Sequence, residues 1–78
     1  MKETKEYLEA QVHGYKARAR YWKHKMEQAE KLAGVYRKAG DGNGQDMAIQ
    51  QYENAELNAC EAERFIEVLE TAIGMIAE

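Results

Sequence analysis

Two stretches of this 78-residue chain hold residue types that could do chemistry. In KAGDGNGQDMAIQQYE, residues 38–53, acidic and amide side chains alternate with glycine ahead of a glutamate, as in a calcium loop. Such a loop needs oxygen ligands at positions 1, 3 and 5, glycine at 6 and a bidentate glutamate at 12. With Asp41 placed first, Asn43 and Gln45 fill positions 3 and 5, but Asp46 stands where glycine belongs. Tyr52 stands where the glutamate belongs, and Glu53 comes one residue late. Helix punctuation accounts for the same residues better than calcium does. Gly40 suits the left-handed residue that ends a helix after Arg37 and Lys38, and Asn43 or Asp46 is the expected cap of the next helix.

The second stretch, YKARARYWKHK at residues 15–25, mixes cations with aromatics, a combination suited to phosphate contact and base stacking. Arg18, Arg20, Tyr21, His24 and Lys25 are its candidate ligand-binding residues. Tyr15 and Trp22 fall on an apolar seam described below, and Lys16 and Lys23 have acidic partners in the second half of the chain. A solvated helix face explains the same cations. If the stretch binds an anion, a small phosphorylated ligand or an acidic protein patch suits it better than long DNA, because the net charge is -3.

The remaining reactive side chains form no constellation. His13 and His24 lie about three turns apart with no second histidine or cysteine one turn away, so no zinc motif exists. Cys60 has no adjacent histidine or cation and reads as an inert thiol. Serine is absent, and no phosphate loop is present. No catalytic residue, metal ligand or cofactor is expected, and the chain reads as a non-enzyme.

The elements that must carry these side chains are legible from spacing. Leu8, Val12, Tyr15, Ala19, Trp22, Met26, Ala29, Ala33 and Tyr36 recur at alternating intervals of 4 and 3, as do Ala48, Tyr52, Ala55, Ala59, Ala62, Ile66, Leu69, Ile73 and Ile76. Such heptad seams predict a helix over about 3–39, a turn over 40–45 and a second helix over about 46–77. The absence of proline agrees with long helices. Joined by a short turn, they form one all-α domain, an antiparallel two-helix hairpin with coiled-coil-like packing.

A turn centred near Asn43 places Trp22 opposite Ala62 and Ile66, Met26 opposite Ala59, and Tyr15 opposite Leu69 and Ile73. Near the turn, Ala29 and Ala33 meet Ala55 and Tyr52. The same register puts Lys23 beside Glu63 and Lys16 beside Glu70, so the division into a basic and an acidic half helps to pair the helices. Between His13 and Lys38 eight Lys/Arg oppose two acids; between Asp46 and Glu78 eight acids oppose Arg64. Gly14 and Gly74 interrupt the helices at similar height, either for close backbone approach, a ligand or a bend, or because they are tolerated there.

A chain this short has difficulty burying a sufficient core alone, and one cysteine allows no internal disulfide. Phe65, Val68, Ala72 and Met75 make a second apolar stripe beside the seam, with Tyr21, Leu32 and Val35 on the same flank of the first helix. That stripe predicts burial against another copy, giving a four-helix bundle or higher oligomer. No membrane span or signal segment is legible, so a cytoplasmic protein is expected. The expected function is stoichiometric binding by a small inhibitor, sequestering or regulatory protein. In size and style the chain is similar to accessory or inhibitor proteins carried by phages, although no motif carries that likeness. A nucleotide or nucleic-acid binder and a structural dimerisation module are the alternatives.

Overall fold

The computed structural model describes residues 2–76. They form two helices, α1 over Lys2–Ala39 and α2 over Gly42–Gly74, packed side by side as an antiparallel hairpin of 59 × 13 × 11 Å. α2 ends at Gly74, where the Met75 N–H donates to the Ala72 and Ile73 carbonyls, short of the expected end near residue 77, which itself lies outside the described residues.

The turn is tighter than its three glycines suggest. Gly40 takes φ 74, the left-handed conformation that ends α1. Its N–H donates to the Arg37 carbonyl and the Asp41 N–H to the Tyr36 carbonyl, satisfying the end of the helix. Asp41 then starts α2: its Oδ1 accepts the Gly44 N–H at 2.9 Å. Asp41, not Asn43 or Asp46, is thus the N-cap, and α2 begins at Gly42, four residues before its expected start. The reason is that a single residue ends one helix while its neighbour opens the next. Asp41→Ala removes the cap and is expected to cost about 1 kcal/mol in a denaturant melt, whereas Asn43→Ala changes stability by less than about 0.5 kcal/mol.

Toward the open end of the hairpin the neighbours of α1 and α2 differ from the expected ones. Tyr15 stacks on Phe65 with ring centroids 5.2 Å apart, a contact that the expected pairing with Leu69 and Ile73 did not include. Glu70 lies in a groove with Glu9, Val12 and Ile73 rather than in an ion pair with Lys16. In the middle of the hairpin and near the turn, three expected groupings are found. Met26 and Ala59 line one groove, Ala29, Ala33 and Tyr52 another, and Lys23 bridges to Glu63 at 2.6 Å.

The interior is built from small residues. Val12, Ala19 and Ala29 of α1 and Ala48, Ala55, Ala59 and Ala62 of α2 are buried, while no large side chain among the described residues is fully enclosed. The larger seam residues, including Tyr15, Trp22, Met26, Ile66 and Leu69, are half-buried, because two helices can cover only one side of each. At Gly44 the approach is closest, since an added Cβ meets the Tyr36 ring. At Gly14 and Gly74 it would meet nothing within 4 Å, so the backbones do not approach there. Gly34 also has open space around it inside α1. Gly34→Ala is therefore expected to stabilise the chain by about 1 kcal/mol, read as a higher melting midpoint.

Candidate functional site

Each residue of an α-helix turns the side chain about 100° from the last. The seam therefore leaves two flanks and an outer face on the hairpin, and the flanks differ in chemistry.

One flank is charged. Lys23, Glu27 and Glu30 of α1 and Glu56, Cys60 and Glu63 of α2 line an open groove of about 450 Å³ floored by Met26 and Ala59. The Lys23 and Glu63 side chains remain 59% and 49% exposed, so their ion pair contributes well under about 1 kcal/mol and weakens with salt. Arg37, Gln45 and Ile49 continue this flank toward the turn.

The opposite flank is aromatic, aliphatic and amide-rich. Its central groove, about 390 Å³, runs between Trp22, Lys25 and Leu32 of α1 and Gln51 and Asn54 of α2. Tyr21 meets Trp22 edge-on at 5.1 Å. The Arg18 guanidinium lies 5.1 Å from the Tyr15 ring centroid, and the Lys25 ammonium 5.5 Å from that of Tyr21. Such contacts hold a cation over a π-face without neutralising it.

This geometry divides the five candidate ligand residues. Arg18, Tyr21 and Lys25 come together on the aromatic flank. Arg20, one residue before Tyr21, points about 100° away toward the charged flank, and His24 lies between them on the outer face. Both are exposed, as is His13. No three His, Cys, Asp or Glu residues converge on a possible metal position among the described residues. No polar or charged side chain is buried there either, so the described surface offers no desolvated acid, base or nucleophile.

The apolar stripe is found on the aromatic flank. Tyr21, Leu32, Val35, Phe65, Val68 and Met75 are exposed, and Ala72 is half-buried. Phe65 is partly covered by Tyr15, which places it between the seam and the flank. Two members escaped the sequence reading. Tyr7, two heptads before Tyr21, is 65% exposed, and Met47, three heptads before Val68, is 61% exposed. Their spacing carried the signal; distance from the other stripe residues along the chain concealed it.

Fold and surface together define a small all-α helical hairpin with one charged and one aromatic-apolar flank. Set against protein families, curated proteins and solved structures, the chain matches none. No described helix is long and apolar enough to cross a membrane.

Proposed function

We propose that this chain is a non-enzymatic binding protein that acts stoichiometrically as a homodimer. In this reading two hairpins bury their aromatic-apolar flanks against each other in a four-helix bundle with coiled-coil-like heptad packing. The charged flanks stay outside, where they inhibit, sequester or regulate a protein partner.

The observation that carries the dimer is the surplus of surface. The hairpin exposes 6102 Å², whereas a folded monomer of 9.0 kDa exposes about 4,850 Å². The excess of about 1,250 Å² falls within what one chain contributes to an obligate dimer. It coincides with a concentration of large apolar side chains on one flank, among them Val68 at 61% and Met75 at 80% exposure. Outside it, the mixed charges of Lys23, Glu27, Glu30, Glu56 and Glu63 form a surface suited to selecting a partner by charge pattern.

Light scattering tests the assembly. The native chain is expected at twice its monomer mass, and both Phe65→Glu and Val68→Glu are expected to give monomers. Val68→Glu is the cleaner variant, because Phe65 also stacks on Tyr15 within the chain. A native monomer removes the proposal, as does a dimer indifferent to both changes. For the partner, a pull-down compared with and without nuclease separates a protein from a nucleic acid.

One observation favours a second reading. Arg18 and Lys25 lie over tyrosine rings with no carboxylate at ion-pair distance among the described residues, leaving their charge available to a phosphorylated ligand. Calorimetry with a nucleotide panel, repeated with Arg18→Ala and, as a control off the aromatic flank, Arg20→Ala, tests it; absence of heat with every ligand removes it. A purely structural dimerisation module predicts that neither change affects the binding of any ligand.

A further inference from the structure

We infer that the two copies stack in the same direction, with both turns at one end, so that α1 of each chain lies over α2 of the other. This inference rests on the dimer proposed above and specifies its symmetry. It follows from the order of chemistry along the aromatic-apolar flank.

Pairing of the helices fixes that order. The Tyr15–Phe65 stack and the Lys23–Glu63 bridge set the register in the middle of the hairpin, and between them they place Glu61, two residues on the turn side of Glu63 and one heptad before Val68 on the same flank, opposite the stretch 19–25 of α1. The central section thus carries cations only on α1, at Arg18 and Lys25, and an anion on α2, at Glu61. The ends are apolar. Tyr7 and Met75 occupy the open end, and Val35 and Met47 the turn end, all four at least 61% exposed.

Two hairpins can face each other with a two-fold axis either across or along their length. With the axis across, the turns lie at opposite ends and α1 rests on α1. Arg18 of one chain then meets Lys25 of the other, and Glu61 meets Glu61. Like charges are brought together where water is being removed, which opposes association. With the axis along the length, α1 rests on α2 of the second copy at equal height. Arg18 and Lys25 then face Glu61, twice by symmetry, while Tyr7 meets Met75 and Val35 meets Met47. The same side chains become complementary, and both apolar ends are covered.

A distance between turns distinguishes the two arrangements. On a Cys60→Ala background, Asn43→Cys carries a spin label at the exposed start of α2, and pulsed dipolar spectroscopy is combined with light scattering on one sample. Helices in contact lie about 8–10 Å apart, so with the label arms a separation of about 20–30 Å is expected. A dimer whose labels are separated by nearly the full hairpin length of 59 Å overturns this symmetry and leaves the dimer standing. A monomeric mass overturns both. Glu61→Lys provides a second measurement. It raises the dimer dissociation constant about tenfold or more when Arg18 and Lys25 are its neighbours. Unchanged association points to the crossed arrangement instead.

Discussion

Ala55→Leu is expected to destabilise the chain by about 2 kcal/mol or more, through overpacking of the seam. Ala55 is 1% exposed, and Ala29 of α1 lines the same groove. Three added carbons have no space unless the helices separate. Separation here also loosens the contacts at Ala48, Ala59 and Ala62, because one straight stripe of alanines holds the two helices together. In a chain this size, a loss of 2 kcal/mol lowers the melting midpoint by roughly 10 °C. Leu57→Ala is the matched control: Leu57, 72% exposed on the outer face, can be removed at a cost below about 0.5 kcal/mol. Melts must be compared at one protein concentration, since an associating chain gains stability by mass action. An Ala55→Leu protein as stable as the native one removes the close alanine packing.

The alanines also show which parts of the fold were legible in the sequence. Alternating intervals of 4 and 3 place Val12, Ala19, Ala29, Ala48, Ala55, Ala59 and Ala62 on facing stripes, and all seven are buried. Periodicity reports which side of a helix faces inward, because the α-helix repeat is fixed by its hydrogen bonds. It does not report how far one helix slides along the other. That depends on the turn, where a single hydrogen bond from the Gly44 N–H to Asp41 Oδ1 decides whether α2 starts at residue 42 or at 46. Asn43, Asp46 and Asp41 are all competent caps by type, so residue preference alone could not choose among them.

The same limit applies to the candidate site. Arg18, Arg20, Tyr21, His24 and Lys25 are neighbours along the chain, and composition groups them into one basic-aromatic patch. A helix separates such neighbours by angle, so that Arg18, Tyr21 and Lys25 share a flank while Arg20 and His24 leave it. Conversely, Tyr7 and Met47 belong to the apolar flank although each is far in sequence from the stripe first recognised. Function on a helical hairpin is therefore better sought in flanks than in segments. The aromatic and charged sides each draw residues from nearly the full length of both helices.

Gly44→Ala provides the most direct test of the turn, because its expected sign opposes the usual one. In a helix interior, alanine is favoured over glycine by about 1 kcal/mol. Gly44 lies in the first turn of α2 and is buried, and an added Cβ would lie 2.6 Å from Tyr36 Cε1 and 2.7 Å from Cγ. Contacts that short cannot persist. The ring must leave the seam or the helices must separate at the turn, and either change outweighs the gain in helix propensity. A net loss of about 1–3 kcal/mol is expected. Removing the ring should reverse the effect. In a Tyr36→Leu background, Gly44→Ala is expected to be neutral or stabilising, giving a coupling of about 2 kcal/mol between the two positions in a double-mutant cycle. The opposite sign at Gly34, where alanine meets open space, provides the reference for backbone preference alone. If Gly44→Ala stabilises the native chain as Gly34→Ala does, Tyr36 does not pack on Gly44. The register proposed for the whole hairpin then fails with it, since that ring is the contact nearest the turn from which both helices are aligned.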